Sequence, residues 1–241
     1  MESKKFCLCL LMIMISLSLA GCFEGENDYS KQGVCVVENT SLRLEPSTKG
    51  KWLSSLALGE TVKIEGKPIA DEANPKVEYI KVKLSDGTQG YVSTWCIVGG
   101  AYVGVIQETT KIYKRPDLLA ETSQKFELMN IVAVEEEKDG WIRVIGEGRS
   151  KTGWIQSGSI RKDKEDVVTA VLLRKAMRGK GKNIPREEME AIVSQLPYED
   201  SYFVNVIMDQ YENDAFLQDY YEEESPANSI GDTSEESPVT E

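Results

Sequence analysis

The sequence predicts a mainly β protein: two small β-domains in tandem, then a C-terminal α-helical segment, then an acidic, disordered tail. Three observations predict it. Residues 36–66 align without a gap to residues 106–136, so the middle of the chain is a duplication. Each copy alternates apolar and polar residues, as half-buried strands do. That alternation stops after Arg161, where helical spacing takes over.

The chain opens with Lys4 and Lys5, then a 14-residue apolar run from Phe6 to Leu19 broken only by Ser16 and Ser18. A bilayer span needs ~20 residues, so the run is too short to cross, but it has the length of a signal-peptide core. It ends in Leu19-Ala20-Gly21-Cys22. Those four residues resemble a bacterial lipobox, a resemblance confined to the leader. It implies cleavage before Cys22, a diacylglycerol on the Cys22 sulfur, and acylation of the new N-terminus. Residues 1–21 are then a lipoprotein signal peptide. Each buried CH₂ contributes about 0.8 kcal/mol, so two or three chains make a durable anchor. The expected location is the cell envelope, on the periplasmic or extracellular face of a membrane. Residues 22–32 are polar and acidic and read as a linker.

The first copy, residues 33–99, is justified by "ETVKIEG" and "YIKVKLSDGTQGYV". Asp86-Gly87 between apolar runs signals a hairpin. The second copy, residues 100–162, matches it class by class. Leu42 meets Ile112, Pro46 meets Pro116, Leu56 meets Phe126 and Val62 meets Val132. An eight-residue excess around "PIADEANP" in copy one has loop composition. Beyond it Tyr79 meets Trp141 and Tyr91 meets Trp154. Short strands with frequent turns indicate a small barrel or sandwich.

"SLRLEPSTKGKWLSSLALGETVKI" followed by "YIKVKLSDGTQGYV" resembles the bacterial SH3 (SH3b) family. "KIYKRPDLLAETSQKFELMNIVAV" with "WIRVIGEGRSKTGWI" is similar but more divergent: Met129-Asn130 lacks the family's glycine, and Lys114 stands where copy one has Leu44. The resemblance covers both copies and implies two SH3-like barrels. It further implies that the first and last strands of a barrel meet, which would bring Cys35 and Cys96 into disulfide range. The chain-entropy model gives roughly 4 kcal/mol for such a loop.

The segment 163–221 reads as two or three helices. "DKEDVVTAVLLRKAM" has an acidic first turn and a basic last turn. Pro185 opens a second helix with Met189, Ile192, Val193 and Leu196 on one stripe, and a third places Tyr202, Phe203, Val206, Ile207 and Tyr211 together. Residues 222–241 are acidic and rich in Ser and Pro, the composition of a disordered tail.

Net charge is −12, and eleven acidic residues with no Lys or Arg lie between Asp209 and Glu241. With no extended basic face, nucleic acid is not an expected partner. The chain has no histidine. That removes Ser-His-Asp and Cys-His hydrolysis and the commonest zinc sites. No cofactor, metal site or catalytic residue is expected. Asp86, Glu78 and Glu147 read as solvated turn residues. The basic stretch from Arg174 to Arg186 reads as a helix end and solvated loop, rather than a polyanion site.

Aromatic residues near loops are the candidate ligand contacts. Trp52 follows the Lys49-Gly50-Lys51 turn, and Tyr113 aligns with the outward-facing Arg43. The Tyr79/Trp141 and Tyr91/Trp154 positions are expected to pack in the cores. The functional expectation is a membrane-anchored, non-catalytic binding or scaffold lipoprotein. Its SH3b pair would recognise a peptidoglycan peptide or an envelope protein. Alternatives are an accessory or degenerate subunit of a cell-wall hydrolase, or a structural subunit of an envelope complex.

Overall fold

The computed structural model describes residues 31–180 and 184–223, with side chains to Asn213. The leader, Cys22 and the linker up to Ser30 lie outside the described residues. So does the acidic tail, apart from Glu222 and Glu223, which end the last helix.

The protein is mainly β. The first copy folds as β1 (Gln32–Cys35), β2 (Thr40–Arg43), β3 (Trp52–Leu56), β4 (Thr61–Ala70), β5 (Glu78–Lys83), β6 (Gln89–Ser93) and β7 (Ile97–Gly99). The second folds as β8 (Tyr102–Ile106), β9 (Thr110–Tyr113), β10 (Glu121–Phe126), β11 (Ile131–Lys138), β12 (Trp141–Gly146), β13 (Thr152–Gln156) and β14 (Ile160–Arg161). The two seven-stranded sheets run β3-β2-β6-β5-β4-β1-β7 and β10-β9-β13-β12-β11-β8-β14. The second order is the first shifted by one copy, and every pairing is antiparallel. A 3-10 turn, Thr94–Cys96 or Ser157–Ser159, leads into the last strand of each.

Matched residues of the duplication fill matched cores. Leu42, Leu56, Val62, Val82 and Val92 are buried in the first barrel. Ile112, Phe126, Val132, Val144 and Ile155 occupy the same places in the second. Each large apolar side chain so buried contributes about 1.5–3 kcal/mol. The turn before β4 shows how far the equivalence extends. Gly59 sits at φ 79° and its N–H donates to Cys35 O at 2.8 Å. Met129 takes the same place before β11, at φ 61°, with its N–H on Ile106 O at 2.8 Å. The backbone demands a left-handed residue there, which glycine adopts freely and methionine only at a cost. Met129 is buried against the helices, and that contact offsets the strain.

The barrels are joined by packing as well as by sequence. Val34, Val36, Val98 and Ala101 of the first meet Ala133 and Ile145 of the second. Gly148 N–H donates to Val36 O at 2.7 Å. The Arg149 guanidinium donates to Trp95 O and Ile97 O, both at 2.8 Å, and stacks over the Trp95 ring.

Helices α1 (Lys164–Met177), α2 (Arg186–Val193) and α3 (Tyr202–Glu223) pack on each other and on both barrels. One core holds Leu173, Met189, Leu196, Phe203 and Ile207 together with Leu58, Val105 and Ile131. Among the described side chains of α3, Phe203, Val204 and Ile207 are buried, with Tyr202 and Tyr211 packed against the same core, so the expected stripe faces inward except at Val206, which is only half-buried. The buried carboxylate of Asp166 ties the junction. Its Oδ2 accepts from Arg161 Nε at 2.7 Å and its Oδ1 from the Tyr202 N–H, at the start of α3, at 2.9 Å.

The basic stretch from the end of α1 to the start of α2 is met by carboxylates. Arg174 pairs with Glu147 at 2.8 Å, Arg178 with Glu38 at 2.6 Å and Arg186 with Glu190 at 2.8 Å. Lys180 pairs with Glu188.

Candidate functional site

The strand pairing collects side chains on the outer face of each sheet. In the second sheet Trp154 stands opposite both Arg143 and Tyr113, and Trp141 stands opposite Gln156. Directly opposed residues share a face, so Tyr113, Trp141, Arg143 and Trp154 lie together. The Tyr113 and Trp141 rings meet edge to face, with centroids 5.0 Å apart and an interplanar angle of 80°. All three aromatics are half-buried, each leaving part of a ring open. The Arg143 guanidinium reaches to within 3.6 Å of Glu135. At the far end of the same face, Ala133 and Ile145 are covered by the first barrel.

A rigid loop borders this face. Residues 114–120 connect β9 to β10, and Lys114 N–H donates to Ala120 O at 2.9 Å. Asp117 organises the loop: its carboxylate accepts from Leu119 N–H at 2.9 Å and from the Arg115 guanidinium at 3.0 Å. Those bonds hold its carboxyl below the usual carboxylate range, the Leu119 amide first. Leu118 and Leu119, 61% and 91% exposed, project from the loop. The two exposed leucines thus sit on a pinned turn that follows directly on Tyr113 in the chain.

The equivalent face of the first sheet is closed at Tyr79, while Tyr91 stays half-buried and Trp52, opposite Arg43, is exposed. Arg43 stands opposite Tyr91, and Tyr79 opposite Ser93. The eight-residue excess lies between β4 and β5 and folds over this face. Asp71 fastens it. Its carboxylate accepts from Thr48 N–H at 2.9 Å, Thr48 Oγ1 at 3.1 Å and Ala73 N–H at 2.9 Å. Tyr79 is left 4% exposed, and burial pushes its phenol up from the ordinary value. The same bonds to Thr48 and Ala73 hold the Asp71 carboxyl low.

The expected core aromatics therefore divide. Tyr79 is buried, but by the inserted loop on the outer face and not inside the barrel. Trp141, Tyr91 and Trp154 are half-buried on outer faces, because their strand positions alternate with core residues Ile142, Val92 and Ile155. Of the two candidate contacts, Tyr113 belongs to the aromatic cluster. Trp52 lies in the other sheet, opposite Arg43. It is 58% exposed, with its indole N–H on Ser55 Oγ at 3.2 Å. Sequence reasoning missed Leu118, Leu119 and Trp95. The signal for the leucines was present: copy two has Leu-Leu where copy one has Thr48-Lys49 in a turn that must be exposed.

Cys35 and Cys96 are not bonded to each other in this structure, and both stand as thiols. The strand ends do meet: Cys35 stands opposite Ile97, and Val36 N–H donates to Cys96 O at 2.9 Å. Cys35 points inward, its thiol donating to Val37 O at 3.1 Å, and burial pushes it up. Cys96 sits half-exposed on the 3-10 turn.

Asp86 accepts from Thr88 N–H at 2.8 Å and shapes its hairpin, while Glu147 faces Arg174 and Glu78 is exposed. Among the described residues no group of three or more His, Cys, Asp or Glu is placed to hold a metal ion. Among them, too, no helix is long and apolar enough to cross a membrane.

No family model matches the chain, and no curated protein matches it. Among solved structures, NlpC2 from Trichomonas vaginalis is similar over 70% of this chain and 57% of its own, at 13% identity and a TM-score of 0.24. NlpC1 from the same organism is similar over 58% and 48%, at 12% identity and a TM-score of 0.25. The chain thus spans about half the length of these structures. Likeness at this level assigns neither a site nor an activity. What the molecule's own geometry defines is a tandem pair of small barrels, with Tyr79 covered in the first and the matched Trp141 half-buried in the second, braced by three helices.

Proposed function

We propose that this chain is a lipid-anchored, non-catalytic binding protein of the bacterial envelope. Its recognition surface is the open outer face of the second barrel. The observation that carries this reading is the contrast at one matched position: Tyr79 is shut away, whereas Trp141 is half-buried in a cluster with Tyr113 and Trp154, and Leu118 and Leu119 of the same domain are exposed. Aromatic and leucine side chains fixed on strands and a pinned turn bind with little loss of rotamer entropy. An extended segment fits such a face, so the ligand class is a cell-wall peptide or an exposed segment of an envelope protein. The SH3b resemblance supports the same class. The leader ending at Cys22 supports the anchor. The absence of histidine from the whole sequence supports a non-catalytic role.

Retention on purified peptidoglycan, and on envelope proteins captured by crosslinking in the native membrane, tests the reading. Trp141→Ala and Leu119→Ser are expected to abolish retention while the fold persists. Retention untouched by both substitutions overturns the assigned face. Mass spectrometry of protein from its own cells is expected to find diacylglycerol on Cys22. The Cys35–Cys96 bond is proposed for the exported protein, and the same spectrum reads it as a loss of two hydrogens. Clearing of a peptidoglycan zymogram by the pure protein would overturn the non-catalytic assignment.

A further inference from the structure

A row of charge on the first sheet has no ion-pair partner among the described residues. Lys31, Lys63 and Lys83 line one shallow groove of about 480 Å³, with Gln32 and Thr61 between them. Strand pairing sets Gln32 opposite Lys63, and Lys63 opposite Lys83. Like charges directly opposed on neighbouring strands are destabilising, so the arrangement costs the fold something. None of the three lysines makes an ion pair or side-chain hydrogen bond with another described residue. The acids nearby are already engaged. Glu65, next along the face, pairs with Lys81 at 3.7 Å. Glu60 accepts from Ala57 N–H and Asp86 from Thr88 N–H. The basic residues from Arg174 to Arg186 behave differently, since four of them each have a carboxylate partner.

The position of the row matters as much as its charge. Lys31 is the first described residue, and Cys22 lies nine residues before it. Nine extended residues span at most about 32 Å, so Lys31 stays within that distance of Cys22, and Lys63 and Lys83 lie one and two strand spacings, about 5 Å each, further on. We propose that Lys31, Lys63 and Lys83 form a docking surface for the anionic phospholipid headgroups of the membrane that carries the anchor. This rests on the lipid-anchor reading above. Lysine suits such a surface, because its compact, hydrated ammonium attracts phosphate without having to be stripped of water. The lipid holds the protein to the bilayer, and the row turns the first sheet toward it.

The test uses the full chain from residue 22 with Cys22→Ser, so that no acyl group contributes. It is expected to sediment with vesicles of phosphatidylcholine mixed with phosphatidylglycerol, but not with phosphatidylcholine alone. Added salt is expected to release it. Lys31→Gln, Lys63→Gln and Lys83→Gln together are expected to lower the partition coefficient on the order of a hundredfold, at roughly fivefold per lysine. A control trio elsewhere on the first barrel, Lys49→Gln, Lys51→Gln and Lys67→Gln, is expected to change it little. The row variant relieves a like-charge pair, so its melting temperature is expected to hold or rise, which separates lost docking from lost fold. No binding by the parent chain overturns the proposal. So does equal loss in both trios, or a preference for purified wall polymer over the anionic vesicles. An unacylated Cys22 in cell-derived protein, with vesicle binding intact, would break the anchor reading alone.

Discussion

The two barrels share a strand order and a core but differ at one junction. Between β11 and β12 the chain turns on Asp139-Gly140, both at positive φ, and Lys138 stands opposite Trp141. That is the two-residue hairpin whose twist suits antiparallel strands. Between β4 and β5 the inserted loop replaces it, and Asp71 sews that loop to Thr48. A duplicated fold therefore need not duplicate a surface. One loop converts an outer-face aromatic into a buried one, and the copy without the loop leaves the matched Trp141 half-buried.

The largest expected effect is on stability. Tyr79→Ala should cost about 3 kcal/mol in chemical denaturation, because it empties a covered site. Trp141→Ala, at the matched position, should cost less than half as much and should instead remove binding. Equal stability losses would break the comparison between a closed and an open face. Next is the turn before β4. Gly59→Ala forces a left-handed alanine whose Cβ meets Ile131 at 3.0 Å, and should cost about 1–2 kcal/mol. Met129 already tolerates that conformation in the other copy, so Met129→Ala should instead show the cost of lost packing, about 2–3 kcal/mol.

Acid should act locally and on both loops. Asp71 and Asp117 have lowered carboxyl values through amide hydrogen bonds. A lowered folded value adds stability above the unfolded value, near ~3.9, and that stability is lost as pH falls through the still lower folded value. Hydrogen exchange should therefore show the Thr48, Ala73 and Leu119 amides losing protection in that range. Asp71→Asn should remove the acid dependence at Thr48 and Ala73 and leave it at Leu119. A uniform response across both loops in that variant would contradict the separate latches. An effect no larger than that of Gly59→Ala is expected at Arg149→Ala. It removes two hydrogen bonds between the barrels while the Val34–Ile145 contact remains, and should cost about 1–2 kcal/mol.

Much of the fold was legible in the sequence because burial alternates along a strand. Leu42, Leu56 and Val62, with their partners Ile112, Phe126 and Val132, announced two cores of one design. The Tyr79/Trp141 and Tyr91/Trp154 positions misled, because an aromatic residue reads as apolar whichever face it occupies. Only register decides that, and register depends on which strand lies alongside. The candidate site was half visible. Tyr113 was found by alignment with an outward position. Leu118 and Leu119 were not, since an apolar pair in a turn looks like a strand end until Asp117 is seen to hold it outward.

By itself the sequence determined the duplication, the mainly β character, the helical appendix and the lack of imidazole chemistry. These follow from local periodicity and from residue types that are present or missing. Only the tertiary structure decided which aromatic face is open, that the basic helix end is matched by Glu38 and Glu147, and that Lys31, Lys63 and Lys83 form a row. Each of those depends on residues far apart in the chain. Solvent access and charge balance are set by what stands across the space, and a linear pattern does not record it.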